Sequence, residues 1–373
     1  MPVFDSRSFN DHEQVVFCRD PATGLKGIIA IHSTALGPAT GGCRFWDYTA
    51  THLHVPLDVA QTRAEQDAVY DVLRLSRGMS YKNAMAGLRL GGGKSVIIGD
   101  PAKLGTPELM RAFGRHVQRL GGTYYAAEDV GTSPGLLSAA AEASEYVVGL
   151  EEGSFATGDP SPHTAKGVYV GIKAAVRHKL GRDSLDGLTV AVQGVGNVGR
   201  YLCGHLAGDG ARLIIADISE ANIAKALEIA PAEVVAPDTI HTAQADVFAP
   251  CALGGGINSQ TIPELKAGVV AGAANNQLEH ELADDEALRE RAILYAPDYV
   301  INAGGIISVE SEVYRERLDD AARADKVAHI GDTLMEIFQT ADREGRPTGV
   351  IANELAEARI AKARQAKLQA AAE

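Results

Sequence analysis

The chain has 373 residues, room for about two domains at roughly 150 residues each and for a sizeable buried core. Hydrophobic residues make up 46% and charged residues 22%, and no run approaches the ~20 consecutive apolar residues of a membrane span. Lys plus Arg number 35 against 48 Asp plus Glu, a formal net charge of −13 that disfavours nucleic acid and anionic lipid as partners.

The polar, acidic opening MPVFDSRSFNDHEQ has no secretory or transit pattern. Cys18, Cys43, Cys203 and Cys251 are scattered, with no C-x-x-C, so neither a disulfide framework nor a zinc site is signalled and a reducing, cytoplasmic setting is expected. His52 and His54 have the spacing of one strand face without a third ligand, and no metal is expected; Trp46 reads as core packing.

Short alternating runs, QVVFC and GLKGIIAIH, predict strands, followed by the turn-rich GPATGGCRFW. Residues 56 to 77 switch to helical spacing through Leu57, Ala60, Ala64, Ala68 and Val72. SVIIGD (95–100) reads as a strand, Thr106 and Pro107 as a helix start, and TYYAAE (123–128) as a further strand. HTAKGVYVGIKAAVRHKLG (163–181) is a long helix closing at Gly181. Beyond it come strand LTVAVQ, a helix from Asn197, strand ARLIIAD, helix SEANIAKALEI, strand ADVFAP, helix TIPELKAG, strand VVAGAA, helix DDEALRERA and strand LYAPDYVIN. Such alternation implies a parallel, doubly wound sheet. The fold class is therefore α/β in two domains separated by a cleft: an N-terminal α/β substrate and oligomerisation domain over 1–150 and a Rossmann domain over 151–345. Two helices follow residue 318, and the last, from about 345, is a candidate to pack back on the first domain.

Glycine, 40 of 373 residues, is clustered. GVGNVG (194–199) supplies Gly194, Gly196 and Gly199 between a strand and a helix that also carries Asn197 and Val198, and Asp217 stands 18 residues beyond Gly199 at the next strand's end. In that context the glycines permit a tight turn, close backbone approach to a pyrophosphate and helix packing, with helix amides facing the phosphates. An acid at position 217 would accept the ribose hydroxyls and repel a 2′-phosphate, which points to NAD. GLRLGGGKS (87–95) is not a P-loop, because Gly87 is one residue too early and a strand follows the lysine. Its glycines instead strip side chains from around Lys94 and leave it poorly solvated. Lys82, twelve residues earlier, would disfavour the ammonium at Lys94 and make a neutral amine available as a base, with Glu128 and Asp129 at a strand end nearby in sequence.

GPATGGCR (37–44), MSYKNAMAGLRLGGGKSVIIGDP (79–101), AAEDVGTSP (126–134), GDPSPHTAKGV (158–168), QGVGNVG (193–199), APCALGG (249–255), GAANNQL (272–278) and APDYVINAGG (296–305) together resemble the glutamate, leucine, phenylalanine and valine dehydrogenases, most closely the leucine branch. The resemblance implies that Lys82 pairs with the substrate carboxylate, that Lys94 activates water and that Asp129 shuttles protons at the substrate nitrogen. It implies reversible oxidative deamination of an aliphatic L-amino acid (leucine, valine or isoleucine) to a 2-oxo acid and ammonium, through an iminium that water converts to a carbinolamine. It places Thr164, Asn275, Asn276, Cys251 and Ala252 along the cofactor path, and a homo-oligomer, dimer or octamer, is expected from family likeness. Glutamate dehydrogenases carry a lysine at the position of Thr40 and a serine at that of Val309. Without those partners a buried distal carboxylate is costly, so Gly41, Thr40, Met79, Ala127, Ile306 and Val309 are expected to form an aliphatic pocket. The small Thr40 leaves an aromatic substrate, phenylalanine or tryptophan, as the alternative. A non-catalytic nucleotide sensor would lack Lys82, Lys94 or Asp129, and none is missing.

Overall fold

The computed structural model describes residues 3–152, 158–317 and 319–372. The chain divides into two compact units, one of Met1–Gly158, Val309–Arg317 and Ala356–Glu373, the other of Asp159–Ser308 and Leu318–Leu355.

The first unit is built on β1 (Gln14–Asp20), β2 (Leu25–Ser33), β3 (Ala39–Trp46), α1 (Leu57–Met85), β4 (Gly91–Ile98), α2 (Pro101–Leu104), α3 (Pro107–Gln118), β5 (Tyr124–Glu128) and α4 (Pro134–Ala141). Its sheet runs β1-β2-β4-β3-β5, with β4, β3 and β5 mutually parallel and β2 antiparallel to both β4 and the edge strand β1. The small residues Ala64 and Ala68, with Val72 and Leu73, let α1 lie close on Ile28, Ala30 and Val96 of one sheet face. Leu109, Phe113 and Leu137 of α3 and α4 cover Ile29, Cys43, Phe45 and Ile97 on the other. Thr106 caps α3 by accepting from the Leu109 amide.

Several local expectations give way here. GPATGGCRFW is largely strand β3, not turn, because its glycines serve close packing: a Cβ on Gly41 would lie 1.9 Å from the Gly93 carbonyl oxygen. Helix α1 runs on to Met85, and Ser80 reaches the sheet because a Cβ on Gly92 would lie 2.1 Å from the Ser80 nitrogen. Trp46 is 46% exposed rather than core, since strand alternation turns Cys43 and Phe45 inward and leaves it on the opposite face. His52 ends a 3-10 turn (Tyr48–His52) instead of a strand, and its Nε2 meets Asp67 Oδ2 at 2.6 Å. Among the described residues no group of three or more His, Cys, Asp or Glu could hold a metal ion, and no helix is long and apolar enough to cross a membrane.

The second unit contains α5 (Ser161–Leu180), β6 (Thr189–Gln193), α6 (Asn197–Gly208), β7 (Arg212–Ala216), α7 (Glu220–Ile229), β8 (Glu233–Val234), β9 (Val247–Pro250), β10 (Val269–Val270), α8 (Glu281–Glu290), β11 (Leu294–Tyr295) and α9 (Asp298–Ile301). Three helices follow: α10 (Gly304–Val313), α11 (Asp320–Glu344) and α12 (Thr348–Ala372). By the division above, Val309–Val313 of α10 and Ala356–Ala372 of α12 belong to the first unit. There Glu310 Oε1 accepts from the Arg89 amide at 2.7 Å, and Lys367 Nζ donates to the Thr34 carbonyl at 2.6 Å. All six strands of the second sheet are parallel in the order β11-β10-β9-β6-β7-β8, so the winding reverses at β6 and β9. Gly181 closes α5 in the left-handed region at φ 65°, as its place in the sequence predicts. TIPELKAG forms only a 3-10 turn, Ile262–Glu264, and DYVI is helical after Pro297 rather than strand. Burial pushes the thiols of Cys18 up to about 11 and of Cys43 and Cys203 up to about 12.

Asp285 of α8 is buried, and its Oδ2 accepts from the Gly349 amide at 2.8 Å in the first turn of α12. Burial pushes its carboxyl up to about 6, against the opposing pull of the Gly349 and Val350 amides. With the folded value above the unfolded one, stability is fully present below about pH 4 and is lost as pH rises through about 6. Denaturant unfolding should therefore show that Asp285→Asn gains on the parent between pH 4 and pH 7 by roughly 1–3 kcal/mol, and parallel pH profiles would contradict this.

Candidate active site

The β3–β4 register sets Thr40 opposite Gly92 and Cys43 opposite Ser95, which places Gly42 beside Lys94, and on its other side Gly42 pairs with Ala127 of β5. Asp129 follows the end of β5. A Cβ on Gly42 would lie 2.7 Å from the Asp129 Cβ, so the bare glycine leaves the space that the Asp129 side chain fills. Across it, Lys94 Nζ meets Asp129 Oδ2 at 2.9 Å. Lys94 is 6% exposed. The loop is fixed by Thr132, whose Oγ1 accepts from the Asp129 amide at 3.0 Å and donates to its carbonyl at 2.6 Å. Gly131, at φ 81°, passes so near β3 that a Cβ would lie 1.8 Å from the Phe45 carbonyl oxygen.

Lys94 is thus one half of an ion pair whose other half, Asp129, is half-buried. The glycines before Lys94 act differently from expectation, since their missing Cβ positions are taken by the Ser33 carbonyl at Gly91, the Ser80 backbone at Gly92 and the Tyr124 ring at Gly93. They clear room for packing.

Sequence reasoning missed the rest of the network. Arg44 Nε donates to Asp129 Oδ2 at 3.1 Å and Arg44 Nη1 to Asp71 Oδ2 at 2.8 Å, where Tyr48 also donates at 2.8 Å. Arg74 Nη2 reaches Asp71 Oδ1 at 3.4 Å. Burial alone would raise the Asp129 carboxyl, but the charges of Lys94 and Arg44 outweigh it and hold it below the usual carboxylate range. Burial, then the Asp71 carboxylate, raises the Tyr48 hydroxyl and keeps it a donor. The available signal was the period of two along β3, which puts Gly42 and Arg44 on one face once the segment is read as a strand.

Of the other substrate-side residues, Lys82 is half-buried in the last turn of α1, and Met79 Cγ would be 3.2 Å from a Cβ on Gly41. Thr40 is fully buried, its hydroxyl donating to the Pro38 carbonyl at 3.4 Å. Ala127 lies next to Gly42. Val309 is buried in the first unit, whereas Ile306, on the same helix, is assigned to the second.

In the second unit, Gly194 turns at φ 90° after β6, where a Cβ would lie 2.8 Å from the Ala252 nitrogen, and a Cβ on Gly199 would lie 2.0 Å from the Gly194 carbonyl oxygen. Gly196 caps α6 with no side-chain hydrogen bond, Asn197 and Val198 open the helix, and nothing lies within 4 Å of a Gly196 Cβ. That open cradle at bare helix amides suits a pyrophosphate. Asp217, just past β7, accepts from the Val195 amide at 2.8 Å and from the Ser219 amide at 2.8 Å, so it builds the glycine turn while retaining acceptor capacity for a ribose. The Cys251 amide donates to the Gln193 carbonyl at 2.7 Å, and the Gly255 amide to the Asn276 carbonyl at 2.7 Å. Asn275 Oδ1 accepts from Asn302 at 2.8 Å, and Thr164 Oγ1 stands 2.9 Å from where a Gly305 Cβ would be. The turns carrying Gly194, Cys251 and Asn275 thus gather at the carboxyl ends of β6, β9 and β10, where the strand order reverses.

Residues 12–145 match the model of the Glu/Leu/Phe/Val dehydrogenase dimerisation domain, and residues 215–367 match the Glutamate/Leucine/Phenylalanine/Valine dehydrogenase model. The chain is 48% identical to leucine dehydrogenase of Geobacillus stearothermophilus, over 98% of this chain and 95% of that protein. It is 46% identical to valine dehydrogenase of Streptomyces virginiae, over 95% of each. Among solved structures, L-tryptophan dehydrogenase from Nostoc punctiforme is similar at 42% identity and a TM-score of 0.79, covering 95% of this chain and 97% of that one.

Gly42→Ala should force Asp129 and Lys94 apart. A crystal structure of the variant is expected to show their contact lengthened beyond 3.5 Å hydrogen-bond reach, and unfolding to show a loss of roughly 1–3 kcal/mol; an unchanged pair would refute the role of the bare glycine.

Proposed function

Because the chain belongs to the glutamate/leucine/phenylalanine/valine dehydrogenase family, we propose that it catalyses the reversible, NAD-dependent oxidative deamination of an aliphatic L-amino acid to a 2-oxo acid and ammonium. The observation that carries the chemistry is the Lys94–Asp129 pair, a buried amine 2.9 Å from a half-buried carboxylate. Lys82 holds the substrate carboxylate. Asp129 accepts a proton from the substrate ammonium, which frees the nitrogen lone pair that assists departure of the Cα hydride and forms the iminium. Lys94, as the amine, takes a proton from the water that adds to the iminium carbon, and Asp129 returns a proton to the departing nitrogen. The bound nicotinamide supplies the acceptor for the hydride of Cα. Gly194, Gly196, Asn197, Val198 and Gly199 would hold its pyrophosphate, Asp217 its ribose, and Thr164, Cys251, Ala252, Asn275 and Asn276 the remaining path.

Met79, Ala127, Ile306 and Val309 are apolar, and the Thr40 hydroxyl is spent on the Pro38 carbonyl, which supports an aliphatic side chain over a carboxylate. The leucine and valine dehydrogenase relatives support the same reading. The tryptophan dehydrogenase likeness favours, as the second reading, an aromatic substrate. A homo-oligomer is supported by the name of the family model over 12–145 and by the edge strand β1, whose Phe17 is exposed. A cytoplasmic setting rests on four free cysteines.

NADH formation followed with leucine, isoleucine, valine, phenylalanine, tryptophan and glutamate in turn tests the reading. The aliphatic substrates should lead, glutamate should be inert, and Lys94→Ala should lose about 10²–10⁴ in kcat; faster tryptophan oxidation would establish the aromatic alternative. For the cofactor, Asp217→Ser should narrow the ratio of kcat/KM for NAD over NADP by roughly tenfold or more, and a constant ratio would remove Asp217 from cofactor choice.

A further inference from the structure

Arg44 has no part in the reaction as assigned, yet it is a second cation in direct contact with Asp129. Its Nε and Lys94 Nζ converge on one oxygen, Asp129 Oδ2, at 3.1 and 2.9 Å. No side chain of the described residues donates to Oδ1. Asp71 anchors the far side of the guanidinium at 2.8 Å and is itself held by Tyr48 and Arg74. The side chains of Arg44, Asp71 and Asp129 are 20%, 14% and 19% exposed, so solvent screens these charges weakly.

Resting on the assignment of Lys94 and Asp129 as the proton-handling pair, we propose that Arg44 is a positioning residue, a cation that does not titrate and that favours the ionised form of Asp129 before it accepts and after it returns a proton, whatever the state of Lys94. With Lys94 as the sole cation, each deprotonation of the amine would leave the half-buried carboxylate unpaired and drive it to take up the proton itself. A guanidinium stays charged throughout. The other groups facing the pair are Cys43 on β3, Tyr124 on β5, Asp71 and Arg74 on α1, and Tyr48 in the turn after β3, while α1 also carries Lys82. Of these, Asp71 and Arg74 neutralise one another across their contact, which leaves Arg44 as the net charge on that side.

The test is the pH profile of kcat/KM for leucine oxidation by the full-length enzyme. In Arg44→Met the limb that rises with pH should move up by about one pH unit, with kcat falling more than KM rises, and in Arg44→Lys it should stay within a few tenths of the parent. Should Arg44→Met not fold, Asp71→Asn should move the limb the other way, to lower pH, because a negative charge is lost while Arg44 remains. A limb that stays put in these variants, with activity tracking only the melting temperature, overturns the proposal in favour of a structural ion pair. If the parent oxidises no amino acid of the panel, the reaction is misassigned, and the 13C titration of the Asp129 carboxyl, identified with Asp129→Asn, still decides. Its midpoint should rise in Arg44→Met, and an unmoved midpoint refutes the role of Arg44.

Discussion

A half-buried carboxylate and a buried amine held 2.9 Å apart constrain everything around them. Removing either ion from water costs several kcal/mol, and mutual attraction offsets this only when the geometry is good and the remaining hydrogen-bonding capacity is used. The first unit meets that condition with backbone: β4 presents Lys94, β3 contributes no side chain at Gly42, and the loop after β5 lays Asp129 across the gap. Arg44 then satisfies the same carboxylate from a second direction. One polar contact thus ties β4 to the loop after β5 across β3, over three parallel strands whose register the backbone ladders set and whose faces apolar layers cover.

The second unit relies on another kind of economy. Its parallel strands end together, so turns from β6, β9 and β10, far apart in sequence, become neighbours without any side chain having to reach. Gly194 lies against Ala252, and Gly255 against Asn276, through backbone atoms. The single acid Asp217 ties the glycine turn to the end of β7. The proposed cofactor cradle and the fold are held by the same hydrogen bonds.

What the sequence disclosed depended on how local each determinant was. Gly194 to Asp217 is one strand-turn-helix-strand unit whose spacing is set by element lengths, and the helix caps at Thr106 and Gly181 act within a few residues; these were legible. The doubly wound order followed from the alternation of elements, although the thin strands β10 and β11 and the short α9 were too brief for periodicity to separate. The glycines of GPATGGCR and GLRLGGGKS were misread, as turn-makers or as a collar for Lys94, because the atoms that demand them come from elsewhere in the chain: Gly93 for Gly41, Asp129 for Gly42, Ser80 for Gly92. Arg44 and Asp71 escaped notice for the same reason. Their pairing joins a strand to a helix 27 positions away, and no motif spacing encodes it.

The four sulfhydryl groups carry a practical consequence. Buried in the sheet and helix interiors and driven far from the thiolate form, Cys18, Cys43 and Cys203 are poor nucleophiles at neutral pH, and the Cys251 thiol is pushed up to about 12 as well. Only Cys251 keeps some exposed surface, so it is the one native thiol within reach of a maleimide or iodoacetamide. With Cys251 replaced by serine, a single cysteine introduced on the surface would be a clean handle for a fluorophore or a solid support, and the three interior ones could stay.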